Sequence, residues 1–232
     1  MSAYGTISTP QNTAKLVPRT YALAKEGEAL TVFPVRRSTV PQDLVEYLAG
    51  IFNDTVQDGR TYPQQDQLSL DEFYAYFFAA DCFVAIRDTP PPALGQDGLD
   101  RDAALSLNEV IAGRELKEAV LGMYYIKPNY PGRSSHNCNA GFVVPDHHRG
   151  LRVGSTLGKS YLHFAPLLGY RGSVFNLVYV SNVASVRIWD ALGFTRAGLI
   201  PNAGRLRNAA GTDEEYVDAI VFHYDFTKRT AT

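Results

Sequence analysis

The tightest constraint on this chain is a turn held between two apolar stretches of different period. Ala140-Gly141-Phe142-Val143-Val144 is short and continuously apolar, and Pro145-Asp146 stops it. The turn HHRGLRVG, His147 to Gly154, follows at once. Val153, Leu157, Tyr161, Phe164 and Leu168 then recur at steps of 4, 4, 3 and 4, the repeat of a helix with one buried face. A buried strand therefore enters the turn and a helix leaves it. Gly150 and Gly154 let the backbone pass close to a ligand. Amides freed at a helix N-terminus favour an anion, most often phosphate, and Arg149 and Arg152 add positive charge in the same place. A plain strand-to-helix connection has the same outline.

A second apolar run, Val174 to Val180, precedes Asn182 and a helical pattern that closes in Leu192-Gly193-Phe194. A phosphate-cradling turn, a strand and an Asn-started helix in this order resemble the GNAT superfamily of acetyl-CoA-dependent N-acetyltransferases. Five strings narrow the resemblance: TYPQ at Thr61 to Gln64, YIKPNY at Tyr125 to Tyr130, SHNCNAGF at Ser135 to Phe142, APLLGY at Ala165 to Tyr170 and FNLV at Phe175 to Val178. They are similar to the fungal L-azetidine-2-carboxylate (proline-analogue) N-acetyltransferases, over roughly 61–220 with gaps.

The resemblance implies a fold, a cofactor and a set of site residues. The fold is α+β, a single domain built on a twisted mixed β-sheet flanked by helices, with two central strands that splay to admit the pantetheine arm of acetyl-CoA. Phe142, Val143 and Val144 on the first splayed strand would line that wedge. Arg149, Gly150, Leu151, Arg152, Val153 and Gly154 would cradle the pyrophosphate. In the superfamily frame Arg152 stands where a glycine is usual, a departure that requires a negative φ at that residue. Asn182 either caps the next helix or bonds the pantetheine arm, or does both through different atoms.

The acid–base residues depart from the family pattern. Asn139 occupies the position of the usual base, a Glu two residues before the strand glycine, and an amide cannot accept a catalytic proton. Asn139 either contacts substrate or is a satisfied buried amide. Asn176 sits mid-strand, where an unpaired amide is costly, and strict alternation puts it on one face with Val178 and Val180. The resemblance marks both asparagines as substrate contacts, with Tyr125 beside them, and gives them the catalytic role: Asn139 would orient the nitrogen or a water that relays its proton, and Asn176 would hold the substrate carboxylate. Trp189 replaces the usual acid Tyr and reads as packing. Tyr124, Tyr125, Tyr179 and His136 are candidate substitutes, each readable as structural. Asp146-His147-His148 spells a metal-phosphoesterase string, but the further acidic motifs of that chemistry are missing and no metal is expected.

Size and charge bound the rest. At 232 residues the chain fits one large domain or two small ones. A net charge of −2 offers no electrostatic reason for a nucleic-acid partner. No apolar run approaches the ~20 residues of a membrane span, and the first twenty residues hold no apolar signal core. Cys82 and Cys138 lie in or beside apolar runs and read as free buried thiols of a reducing compartment. A cytoplasmic enzyme is expected, and the resemblance adds a homodimer.

Along the chain, 1–27 reads as an irregular arm, with the domain over 28–232. Ala29 to Val35 reads as a strand, Pro41 opens a helix, and Leu68 to Ala80 reads as a helix capped by Ser69 and Glu72. Cys82 to Ile86 is a strand, and Thr89 to Asp102, rich in proline, glycine and acid, is a mobile surface insertion. A helix is expected over 103–112 and a strand over 119–127, with a bulge or a close backbone approach at Gly122. A short strand near Leu199, a Gly/Asn-rich stretch over 202–215 and a final strand from Tyr216 to Phe226 complete the pattern. The function expected is acetyl transfer to a small proline-like imino acid, in detoxification or self-resistance. The alternatives are a related enzyme for another amine, amino acid or peptide N-terminus, and a non-catalytic acyl-CoA-binding protein of the same fold.

Overall fold

A computed structural model describes residues 15–228. In chain order it contains β1 (Arg19–Ala22), β2 (Ala29–Val35), α1 (Gln42–Asp58), α2 (Leu70–Phe77), β3 (Asp81–Asp88), β4 (Leu99–Asp100), α3 (Leu107–Ile111), α4 (Leu116–Ala119) and β5 (Val120–Pro128). There follow β6 (Asn137–Val143), α5 (Val153–Leu167), β7 (Gly172–Tyr179), α6 (Val183–Ala191), β8 (Thr195–Arg207) and β9 (Glu214–Asp225). The strands form one sheet in the order β4-β1-β2-β3-β5-β6-β7-β9-β8. Every pairing is antiparallel except β6 with β7. This is the α+β, mixed-sheet domain expected from the sequence.

The middle strands are apolar on both sides because both faces of the sheet are covered. Tyr124 and Ile126 of β5 pack with Leu157, Tyr161 and Phe164 of α5 and Trp189 of α6. Met123 and Tyr125, pointing the other way, pack with Leu48 and Phe52 of α1 and Phe73 and Phe77 of α2. The expected cap on α2 is present: Ser69 accepts from the Glu72 amide and Glu72 reaches back to the Ser69 amide. Such a cap stabilises a helix start by about 1 kcal/mol. Gly122 marks a register shift against β3, and a Cβ there would sit 2.8 Å from the Val143 carbonyl.

The splay is visible in the pairing. β6 and β7 share only Asn137↔Gly172 and Cys138↔Ser173, after which the ladder ends. Against β9, β7 slips register between Phe175 and Val178, and a bulge of this kind bends its strand. Phe142, Phe175 and Trp189 fill the opening on the α5/α6 side, with Trp189 5.1 Å from Phe142 and 4.5 Å from Phe175 between ring centroids.

Several expectations are corrected. The arm expected over 1–27 contains β1, which pairs with β2 and β4; residues 1–14 lie outside the described residues. The insertion over 89–102 is not irregular throughout. Its end forms β4, Arg19 pairs with Asp100, the Arg101 amide donates to the Pro18 carbonyl at 2.8 Å, and Arg101 pairs with Asp88 at 3.0 Å. Charged partners on distant strands, invisible locally, tie down a stretch whose composition reads as loop. The helix expected over 103–112 shrinks to α3, started by a capping box between Ser106 and Glu109. The stretch 202–207 is strand, because a register shift between Ile200 and Gly204 lets β8 continue along β9 as a long hairpin arm.

Candidate active site

The phosphate-type turn has the expected frame with one correction. Arg152 has φ 61°, in the left-handed region, and Gly150 has φ 83°. The negative φ that the Arg-for-Gly exchange required is absent, so Arg152 carries a conformation glycine adopts freely, at a cost of about 1 kcal/mol. No side chain caps α5. Its first intrahelical bond runs from the Thr156 amide to the Arg152 carbonyl, leaving the amides of Val153, Gly154 and Ser155 without an acceptor among the described residues. Three outward amides at the positive end of a 15-residue helix suit a diphosphate. The Arg149 guanidinium is turned to Asp146 at 2.6 Å, whereas Arg152 is exposed. Gly154 also serves packing, since a Cβ there would lie 3.2 Å from Ile188 Cδ1 of α6.

At the other end of the wedge the predicted asparagines meet a third. Asn129, just past β5, accepts from Asn139 Nδ2 and from Asn176 Nδ2, both at 2.7 Å, and returns its own Nδ2 to Asn176 Oδ1 at 3.2 Å. The Tyr130 hydroxyl donates to Asn176 Oδ1 at 3.3 Å. Asn129 thus ties together the strands that splay. Asn176 does not share a face with Val178: the bulge breaks the alternation, Phe175 and Val178 enter one core cluster, and Asn176 turns to Asn129 instead. Asn139 Oδ1 is buried and has no hydrogen-bond partner. A buried acceptor left open in this way is expensive unless a donor arrives.

Lys127 and a tyrosine cluster lie beside the asparagines on the α1/α2 side. Lys127 is the direct cross-strand partner of Asn139, and Tyr125 that of Gly141; directly opposed residues project to one face. Gly141 is required there, because a Cβ would sit 2.7 Å from both Tyr125 Cε1 and the Tyr62 hydroxyl. The Tyr62 hydroxyl donates to the Phe142 carbonyl at 3.3 Å, and the Tyr125 and Tyr76 hydroxyls lie 3.1 Å apart. The Lys127 ammonium stands 4.3 Å from the ring centroids of both Tyr76 and Tyr125. No carboxylate among the described residues pairs with it. Loss of hydration lowers its pKa from 10.5 to about 8.

Lys127, Asn129 and Tyr62 lie inside the strings YIKPNY and TYPQ, yet nothing in one dimension separates them from their neighbours. Tyr76 lies in α2, and only the packing of α2 over β5 brings it to Lys127.

The remaining candidates make the following contacts within the protein. Asn182 caps α6, accepting from the Ser185 amide at 3.2 Å through its oxygen, which leaves its NH2 for another partner. Trp189 packs in the core and donates to Ser185 Oγ at 2.9 Å. Tyr124 is buried with its hydroxyl 2.9 Å from Ser160. Tyr179 packs on Gly204. His136 is exposed and contacts the Arg133 carbonyl at 3.1 Å. His147 and His148 both direct Nε2 to the Lys117 carbonyl, at 3.0 and 2.9 Å. Cys82 and Cys138 are free and buried, and burial pushes the Cys138 thiol up to about 12. Among the described residues no three metal-ligating side chains gather, and no helix is long and apolar enough to cross a membrane.

Splayed parallel strands, an uncapped helix start after the first and an Asn-capped helix after the second define a GNAT acyltransferase, and the comparisons agree. Residues 62–194 match the Acetyltransferase (GNAT) family, and the chain belongs to it. It is an N-acetyltransferase that uses acetyl-CoA. Among known proteins it is 38% identical over 189 residues to the N-acetyltransferase aca1 of Schizosaccharomyces pombe, covering 80% of this chain and 81% of that one. It is 29% identical to the protein SPT10 of Saccharomyces cerevisiae, of whose length it spans only 36%. Solved structures of similar fold include a GCN5-related N-acetyltransferase of Kribbella flavida (23% identity, TM-score 0.63, covering 84% of this chain and 97% of that one). Another is the phosphinothricin acetyltransferase of Sinorhizobium meliloti in complex with acetyl-CoA (15% identity, TM-score 0.62, covering 88% and 91%).

Proposed function

We propose that this enzyme acetylates the ring nitrogen of a small proline-like imino acid of the azetidine-2-carboxylate type, in the detoxification of a proline mimic or in self-resistance. The observation that carries the reading is the three-asparagine cluster with its open Asn139 Oδ1. A secondary amine entering the wedge supplies the N–H that this oxygen lacks. Acetyl-CoA brings the reactive thioester; the chain brings position. The amides of Val153, Gly154 and Ser155 would hold the pyrophosphate, the unpaired edge of β6 at Phe142 and Val143, with Val144 just past its end, would guide the pantetheine arm, and the free NH2 of Asn182 would bond it. Asn139 would orient the amine and Tyr125 would wall the pocket. Holding reactants in a near-attack geometry can itself supply ~7–11 kcal/mol, which suits a site whose usual base and acid positions hold Asn139 and Trp189. We place the enzyme in the cytoplasm as a homodimer, a reading supported by the exposed apolar side chains Leu199, Ile200 and Tyr216 on the β8–β9 hairpin.

The test is thiol release from acetyl-CoA across cyclic imino acids, acyclic amines and N-terminal peptides, with wild type and Asn139→Ala. The expected result is turnover of the four- and five-membered imino acids, with Asn139→Ala raising KM or lowering kcat while CoA affinity is kept. Turnover confined to peptides or acyclic amines would refute the reading.

A further inference from the structure

We propose that Lys127 is the anchor for the acceptor's carboxylate, so that the enzyme selects α-carboxylated amines and binds them between Lys127 and Asn139. The inference rests on the imino-acid reading and assigns its selectivity to a residue outside the asparagine cluster. Lys127 is partly buried on the same sheet face as Asn139 and directly opposite it across β5 and β6. Its ammonium touches two ring faces and no carboxylate among the described residues. Aromatic faces orient a cation but leave its hydrogens unbonded. A partly desolvated charge without a counter-ion is disfavoured, so this site is complementary to an anion.

Its neighbour offers the opposite polarity. Asn139 Oδ1 is a buried acceptor without a donor. An open donor and an open acceptor directly opposed on adjacent strands match the two ends of an α-amino or α-imino acid. The carboxylate would meet Lys127 Nζ and the ring N–H would meet Asn139 Oδ1, which leaves the nitrogen lone pair, once the second proton is lost, toward the splay between β6 and β7. Asn176 is a poorer carboxylate holder than Lys127. Its oxygen already accepts from Asn129 and Tyr130, and one of its two N–H donors is spent on Asn129. Tyr76 and Tyr125, their hydroxyls in mutual contact at 3.1 Å, hold the ammonium 4.3 Å from both ring centroids.

The test compares wild type, Lys127→Met and Lys127→Arg on L-azetidine-2-carboxylate and its carboxamide, by steady-state kinetics and by thermal stabilisation of the CoA-bound protein. A lost charge-assisted contact is worth roughly a 10- to 100-fold change in affinity. Lys127→Met is therefore expected to raise KM for the acid by that factor, to erase the acid-over-amide preference and to abolish stabilisation by the acid. Lys127→Arg restores part of both. An unchanged KM and preference in Lys127→Met would overturn the proposal while leaving the imino-acid reading standing. So would full retention of acid binding with loss of turnover only, the mark of a proton acceptor. If wild type acetylates no imino acid yet the acid stabilises it and not Lys127→Met, the anchor stands and the substrate reading falls. If the acid stabilises neither, both fall.

Discussion

Replacing Lys127 by Met should make the free protein more stable while damaging its use of substrate. Methionine keeps an unbranched stem between Tyr76 and Tyr125 and removes the ammonium. Desolvation takes that ammonium from 10.5 to about 8. At about 1.4 kcal/mol per pH unit, the folded chain carries the charged form at a cost of roughly 3 kcal/mol. Two ring faces at 4.3 Å offset roughly 1–2 kcal/mol of this. The variant should therefore gain about 1–2 kcal/mol near pH 7, which for a chain of this size is a Tm rise of roughly 2–8 °C. The sign with pH follows from the order of the two pKa values. The folded state loses its proton near 8 and the unfolded state near 10.5. Between those values the unfolded state binds more protons, and wild-type stability rises with pH. The gap between variant and wild type is thus full below pH 8 and shrinks above it. Tyr62 and Tyr125, held well above 10 mainly by burial, do not titrate in that window. Thermal unfolding of both proteins without ligand, at about pH 7 and about pH 9.5, measures the gap. A variant less stable than wild type near neutrality, or a gap that fails to narrow at the higher pH, would refute the account of an uncompensated charge.

Other perturbations follow from the same geometry. Gly141→Ala places a methyl 2.7 Å from Tyr62 and Tyr125 and should cost about 1–3 kcal/mol with a loss of turnover; a wild-type Tm would show that the tyrosines swing aside without strain. Asn129→Ala leaves donors of Asn139 and Asn176 without their acceptor and should cost about 1–3 kcal/mol per orphaned group in urea unfolding; wild-type stability would mean the cluster is not a tie between β6 and β7. Arg152→Gly relieves a left-handed residue and should leave stability equal or up to about 1 kcal/mol higher. Its affinity for CoA should fall and depend less on salt, whereas unchanged affinity would place the guanidinium in solvent.

The local sequence determined what short-range physics controls. Period and punctuation located the strand–turn–helix at 140–168, the capping box at Ser69 and Glu72 has the same partners in space, and the run from Ala29 to Val35 is a strand with those ends. These features depend on neighbours within a turn or two of chain. Family-like strings pointed to Asn139 and Asn176 as a pair, but not to the residue that joins them. Asn129 belongs to the site only because the chain leaving β5 meets Asn139 of β6 and Asn176 of β7 where those two strands part. The face of Asn176 was misjudged for a related reason: alternation holds along an unbroken strand, and the bulge opposite β9 is set by pairing with a segment more than forty residues away. β1 and β4 became strands through partners at the sheet's far edge. Lys127 is the plainest case. In the sequence it is a lysine near a strand end, where snorkelling into water is the ordinary outcome. Packing of α2 across β5 encloses it between two tyrosines without a counter-ion, and an unpaired charge becomes informative only when tertiary structure has removed the water that would otherwise have satisfied it.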